Sequence, residues 1–436
     1  MLLIQLASYN TNLQGENGVP QDLVDWLSPT LQVSSFLSHQ RPADIIAVGF
    51  QELLPLHLGL SGLSTNVINS RNEHILAQIE ANSLNKERYA LIAKVVNGGV
   101  ALLVYARDAG VARTACDVHT TWTGSGPGYM SNKGAVGVRF RVPGEDGGVG
   151  ETFTFVCAHL TAHAENLADR IADWHHIVGS LLFPTPAPAD KGKGKPTTLY
   201  DTSHLFVLGD LNFRVVVPPE HPLNGAASAV VGQALTAESE WEALKEYDQL
   251  LLERRNPASL AFVGLREGEF WRFKCSYKYQ LGQVDAYSEK RMPSWTDRIL
   301  YTTYTDSPDN PDESAIKNLL YTSVPGYTTS DHKPIVSLLL LPTPSPSSSA
   351  STPTSSTPPV LRLPAHYTPT PDPRATLKRY TGRILDRAIG RVWWLLTLLG
   401  AGSVLVGMFN FVLGLGAWGW WSGGIKLGGG EGAGAV

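Results

Sequence analysis

Short apolar runs rich in β-forming residues recur through the first 341 residues, and this recurrence limits the possible folds more than any other feature. They lie at 2–7, 44–50, 133–142, 152–159, 204–209 and 335–341. Each is long enough for one strand and too short for a helix. Residues 88–107 read as a hairpin, because RYALIAKVV and VALLVYAR flank the turn-forming Asn97-Gly98-Gly99. The clearest helical pattern is 165–182, where Leu167, Ile171, Trp174, Val178 and Leu181 recur at spacings of three and four. That periodicity predicts a core-facing stripe. Many strands with a few helices predict a β-sandwich flanked by helices, one large α+β unit over 1–341. The N-terminus, MLLIQLASYN, has no basic lead and soon reaches polar residues, so it reads as a first strand rather than a signal peptide.

The formal charge of −4 argues against a chain whose main partner is nucleic acid. Cys116, Cys157 and Cys275 are odd in number and form no CxxC pair, so neither a disulfide framework nor a zinc site is expected. No internal repeat is present, and nothing in the sequence reports on oligomeric state.

Composition breaks at 342. Residues 342–359 contain only Pro, Ser, Thr and Ala, which cannot build an apolar core, and a disordered linker is expected over 342–373. A basic helix is expected over 374–391, with Arg379, Arg383, Arg387 and Arg391 on one stripe. Residues 392–421 run 30 positions without a charge and carry tryptophans at both ends. A spanning helix needs about 20 apolar residues, and interfacial belts favour tryptophan. The expectation is a transmembrane segment over 392–421, as one span or a re-entrant pair, and then a Gly-rich tail over 422–436. The upstream arginines place the 1–341 unit on the cytosolic side of a membrane, with the endoplasmic reticulum or another endomembrane as the default.

Polar residues gather where the strand-like runs end. Gln51-Glu52 follows 44–50, His159 and His163 follow 152–158, and Gly209-Asp210-Leu211-Asn212 closes 204–209. Taken singly, an Asp after a strand is a turn former and a lone His is structural. Together they supply carboxylates, amides and imidazoles that can converge on one rim of a sandwich. Oxygen-rich donors of this kind suit Mg²⁺ and not zinc. Phosphate-ester hydrolysis needs a polarising cation, an oriented water and donors for the charge developing on oxygen.

FVLGDLNFR (206–214) and RMPSWTDRIL (291–300) resemble the two signatures of the inositol-polyphosphate 5-phosphatases, within the endonuclease/exonuclease/phosphatase superfamily. SYNTN (8–12), FQE (50–52), GYMSNKGAV (128–136), AHLTAH (158–163), SYKY (276–279) and SDHKP (330–334) extend the resemblance over nearly all of 1–341. It implies a four-layer α/β/β/α sandwich of the DNase I-like kind, and Mg²⁺-dependent removal of the 5-phosphate from membrane phosphoinositides. Phosphatidylinositol 4,5-bisphosphate is the first choice and the 3,4,5-trisphosphate the second. A soluble inositol-polyphosphate 5-phosphatase, a nuclease or a phosphodiesterase of the same superfamily are the alternatives, as is an inactive tethered binding module.

The resemblance also implies roles. Asn10 and Glu52 would hold the metal, with Asp331 close to it or orienting a metal-bound water. Asp210 would position or deprotonate the attacking water. Asn212, His332 and His159 would bind the scissile phosphate, and Asp297 would fix the His332 ring. Tyr277, Lys278 and Lys290 would grip the 4-phosphate, with Asn132 and Lys133 nearer the 1-phosphate. Tyr9 and Thr296 depart from the family's usual Trp and Cys at positions that are not catalytic groups. The apolar stretch 53–62 would either dip into a lipid interface or lie buried.

Overall fold

A computed structural model of the chain describes residues 1–15, 27, 41–144, 148–185, 195–226, 228–235, 237–342 and 357–400. The strands are β1 (Leu2–Asn10), β2 (Ile45–Gln51), β3 (Tyr89–Asn97), β4 (Val100–Arg107), β5 (Cys116–Gly124), β6 (Gly134–Val142), β7 (Glu151–His159), β8 (His204–Asp210), β9 (Arg266–Glu267), β10 (Asp297–Thr303), β11 (Lys317–Ser323) and β12 (Ile335–Leu341). They form two six-stranded sheets, in the orders β11-β12-β1-β2-β4-β3 and β5-β6-β7-β8-β10-β9. Four helices matter for the site: α1 (Leu56–Ser61), α2 (Ser64–Asn82), α3 (Leu167–Ser180) and α4 (Ala375–Leu398).

The central strands are apolar on both faces because both faces are covered. All seven residues of β2, IIAVGFQ, are buried. Parallel pairs buried on both sides read as continuous apolar runs, and β1–β2 and β7–β8 are such pairs. One core lies between the sheets and includes Ile4, Leu6, Phe140, Phe153, Phe155 and Phe206. Outside the first sheet, Val67, Ile75 and Ile79 of α2 pack on Val48, Leu103 and Tyr105. Outside the second, Trp174, Ile177 and Val178 of α3 pack on Val156, Val207 and Leu300. The result is the expected two-sheet sandwich with helices on both outer faces.

Register sets up the site. β7 runs parallel to β8 with His159 opposite Asp210, and β10 runs antiparallel to β8 with Asp297 opposite Asp210. Residues at one level of neighbouring strands share a face and lie about 5 Å apart. His159, Asp210 and Asp297 therefore form a row at one end of the second sheet. In the first sheet Asn10 lies opposite Gln51, one residue before Glu52.

The C-terminal expectations need correction. Among the described residues, no helix is long and apolar enough to cross a membrane, which overturns the single-pass endomembrane placement. Most of 392–421, and all of the tail 422–436, lie outside the described residues. The linker is not free over its described part. Leu361 donates its amide to Thr202 O at 2.9 Å, Asp372 donates its amide to Gly179 O at 2.8 Å, and Tyr367 is buried edge-on against Tyr200. Three of the four stripe arginines face the protein. Arg379 donates to Thr121 Oγ1 at 2.9 Å, Arg383 lies 3.7 Å over the Trp122 ring, and Arg387 donates to Leu60 O at 3.0 Å. A periodic basic stripe suits guanidinium hydrogen bonding to exposed carbonyls as well as it suits a lipid headgroup, and periodicity does not distinguish them. The stretch 53–62 is buried at Leu53, Leu54, Gly59 and Leu60 and half-buried at its other positions. Within the insert over 184–204, residues 186–194 lie outside the described set.

Candidate active site

Asp210 is the hub. It closes β8 just after Gly209, whose φ is 143° and whose Cβ, if present, would lie 2.0 Å from the Ala158 carbonyl oxygen. Only glycine lets β7 and β8 approach this closely beside the carboxylate. Asp210 Oδ2 accepts from Asn10 Nδ2 at 3.0 Å and lies 3.4 Å from His159 Nε2 and 3.9 Å from His332 Nε2. The chain then turns sharply at Asn212, with φ 58°, and the Asn212 amide donates back to Asp210 Oδ1 at 3.1 Å. Burial alone would raise the Asp210 carboxyl, but His332, His159 and Lys133 outweigh it and hold the carboxyl well below the usual range.

His332 is held by Asp297. Its Nδ1 lies 2.9 Å from Asp297 Oδ2, which also accepts from Ser276 Oγ at 2.7 Å and Thr296 Oγ1 at 3.0 Å. Burial opposes protonation of the ring, yet Asp297 and Asp210 overcome it and raise His332 to about 10. At neutral pH it is an imidazolium, a donor through both nitrogens. Burial pushes Asp297 up, against the pull of His332.

The rest of the row lines the open side. Lys133 Nζ contacts His159 Nε2, and burial pulls the Lys133 ammonium down despite the neighbouring Asp210 and Glu52. A cleft of about 210 Å³ is lined by Glu52, Gly99, Asn132, Lys133 and His159, with Leu54 and Leu56 at its edge. Asn132 Oδ1 is buried beside Gly126, where a Cβ would come within 1.8 Å of it, and among the described residues it has no hydrogen-bond partner. The Tyr277 ring lies 4.5 Å from the His332 ring. Lys278 Nζ pairs with Asp331 Oδ2 at 2.6 Å, which outweighs burial and raises the lysine. Lys290 is exposed, and among the described residues its side chain has no hydrogen bond to this cluster.

Two donor sets could hold a cation. Asp210, Asp297 and His332 each offer an atom within 4.8 Å of the others. Asp297 and Asp210 favour the protonated form of the His332 ring between them, which suits this centre to proton and phosphate chemistry, and its three donors stand as one candidate cation set. Glu52 stands at the open rim, a third exposed and 3.9 Å from His159. It takes φ 49°, with its carbonyl accepting from Leu13 N and Thr11 Oγ1, each at 2.8 Å. A non-glycine residue held there costs about 1–3 kcal/mol and persists only where its surroundings enforce it. With Asn10 and Asp331, Glu52 offers oxygen donors alone, the chemistry that fits Mg²⁺ or Ca²⁺. Among the described residues these three make no hydrogen bond to one another, because Asn10 is turned to Asp210 and Asp331 to Lys278.

Several supporting residues escaped the sequence reading. Arg214 Nη2 donates to Asn212 Oδ1, and its guanidinium lies 4.5 Å over the Tyr277 ring. Arg170 bonds Gln249 Oε1 at 2.5 Å behind them. Thr296, read as not itself a catalytic group, touches the His332–Asp297 pair. Arg214 and Thr296 stand inside the recognised signatures, which is where a signal lay.

Residues 7–338 match the endonuclease/exonuclease/phosphatase family 2. The chain belongs to this family. It is similar to Synaptojanin-2 of Rattus norvegicus, 27% identical over 358 residues, covering 76% of this chain and 21% of that protein. It is also similar to the type II inositol 1,4,5-trisphosphate 5-phosphatase of Mus musculus, 31% identical over 322 residues, covering 72% of this chain and 28% of the other. The chain thus spans under a third of the length of these relatives. Among solved structures it resembles the inositol polyphosphate 5-phosphatase domain of SPsynaptojanin in complex with inositol (1,4)-bisphosphate and calcium ion. The TM-score is 0.57 at 27% identity, over 78% of this chain and 83% of that one. These likenesses support a phosphatase, a hydrolase of phosphate esters.

Proposed function

We propose that the chain removes the 5-phosphate of phosphoinositides, phosphatidylinositol 4,5-bisphosphate first, with Mg²⁺ held by Glu52, Asn10 and Asp331. The observation that carries this reading is the row His159–Asp210–Asp297 with His332 clasped between the two carboxylates. When bound, the metal polarises the phosphoryl oxygen and neutralises part of its charge. Asp210, ionised beside its cations, orients the attacking water and takes its proton. His332, kept protonated and oriented by Asp297, donates to the phosphate as charge builds on it. Asn212 and His159 contact the same group, and Arg214 fixes the Asn212 amide.

Lys278 and Tyr277 stand beside His332 on one side of the mouth, where a phosphate next to the scissile one would fall. A phosphate bound there would compete with Asp331 for Lys278, and the Asp331 carboxylate would then be available to hold the metal with Glu52 and Asn10. Lys290 belongs to the same wall only through its place immediately before the second signature. Asn132 and Lys133 face the remaining phosphate from the cleft. The lipid and the soluble headgroup present this same chemistry.

The test is phosphate release by the full chain with Mg²⁺, comparing phosphatidylinositol 4,5-bisphosphate in vesicles with soluble inositol 1,4,5-trisphosphate. Faster release from the lipid supports the substrate ranking. Turnover of the soluble compound alone replaces it with the soluble alternative.

A further inference from the structure

Helix α4 presents one buried face, made of Ala375, Gly382, Asp386 and Gly390. That face lies against the two segments that wall the mouth of the site. Residues 125–133 carry Asn132 and Lys133, and residues 53–63 follow Glu52. A Cβ on Gly382 would come within 1.8 Å of the Tyr129 carbonyl oxygen, and one on Gly390 within 2.5 Å of the Ser61 amide nitrogen. Glycine at both places lets the helix backbone touch both walls at once. Between these contacts Asp386, 5% exposed, accepts the Ser131 amide on both carboxylate oxygens, at 3.0 and 3.2 Å.

Ser131 is gripped from the other side as well. A Cβ on Gly98, in the β3–β4 turn at φ 59°, would lie 2.5 Å from the Ser131 carbonyl oxygen. The residue immediately before Asn132 is therefore clamped between that turn and Asp386. A face built only for packing would carry alanine or leucine at position 386. A buried carboxylate is costly unless its hydrogen bonds hold something in place.

We propose that Asp386 is a positioning residue for substrate: by fixing Ser131 it sets the adjoining Asn132 against the part of the substrate away from the scissile phosphate, while Lys133, joined to His159 of β7, keeps its place. Helix α4 is then one wall of the binding unit rather than an appendage to it. This rests on the assignment of Asn132 to substrate made above. Bond cleavage is set by Asp210, His332 and Asn212, none of which α4 touches. Loss of the anchor therefore falls on binding.

The experiment compares the full chain with Asp386→Ala and with Asp386→Asn, which is isosteric and keeps one acceptor oxygen. Hydrogen exchange is followed over 125–133, and kcat and KM are measured on soluble inositol 1,4,5-trisphosphate. The expected result for Asp386→Ala is faster exchange in 125–133 with the β6–β8 core unchanged. KM rises about tenfold and kcat stays within about twofold, a change confined to binding. Asp386→Asn falls between, and it serves alone if the alanine chain does not fold. Unchanged exchange in 125–133, or a lower kcat at unchanged KM, overturns the proposal. Should the wild-type chain release no phosphate from inositol phosphates, the functional reading falls. The exchange of 125–133 alone then decides whether Asp386 holds the loop.

Discussion

At the scale of single residues, the account makes Asp210 the group without which nothing turns over. Asp210→Asn keeps the side-chain shape and an acceptor for Asn10, and removes the charge that takes a proton from water. Its kcat is expected to fall by about 10²–10⁴-fold, with cooperative unfolding retained in a denaturant titration; near-wild-type turnover would refute the base assignment. Lys278→Ala is expected to raise KM about tenfold, near 1.4 kcal/mol, for substrates that carry a 4-phosphate and to spare one that lacks it. Equal losses on both would remove Lys278 from the specificity wall. Asp210 and Asp297 stand out in the sequence because they sit inside the two long signatures, and His332 because it sits in the supporting match SDHKP. The roles of Arg214 and Thr296 do not. Their contacts depend on the positive φ of Asn212 and on the packing of β10 beside the SDHKP loop, and neither has a sequence period.

Among elements, the parallel pair β7–β8 sets His159 beside Asp210, and Gly209 is its weakest point. Gly209→Ala puts a methyl 2.0 Å from a carbonyl oxygen at φ 143°. It is expected to destabilise the fold by more than about 1 kcal/mol, read from the urea midpoint, and to reduce kcat by shifting Asp210. On the opposite face, Trp174 stacks on Phe262 at 4.1 Å, and Trp174→Ala is expected to cost about 3–5 kcal/mol while KM stays unchanged. The apolar runs and the 165–182 periodicity gave these elements directly, since strands buried on both faces must be apolar throughout. β5 and β11 escaped. β5 has exposed residues along CDVHTTWTG, β11 has no fully buried residue, and an edge strand with one open face carries little apolar signal.

For the whole molecule, the C-terminal region is where composition misled. The arginine stripe and the end of the linker read as a membrane-facing helix and part of a tether, yet residues 357–398 lie along the catalytic unit, beside the segments that follow Glu52 and precede Asn132; most of the Pro/Ser/Thr run lies outside the described residues. Composition reports whether a segment can form its own core, not whether it is laid on another. A chain ending at residue 342 is therefore expected to unfold at lower denaturant than the full chain and to bind substrate more weakly; identical midpoints and KM would show that α4 contributes neither. Chelation is expected to abolish turnover, and added Mg²⁺ to restore it, because Glu52 offers carboxylate oxygens at the open rim whose ion-pair partner among the described residues, His159 Nε2, lies as far as 3.9 Å away. The most direct test of the central claim is the identity of the product made by the full chain with Mg²⁺ from soluble inositol 1,4,5-trisphosphate, with a DNA duplex assayed in parallel. The account predicts inositol 1,4-bisphosphate and intact DNA; loss of a different phosphate, or cleaved DNA beside untouched inositol phosphate, would contradict it.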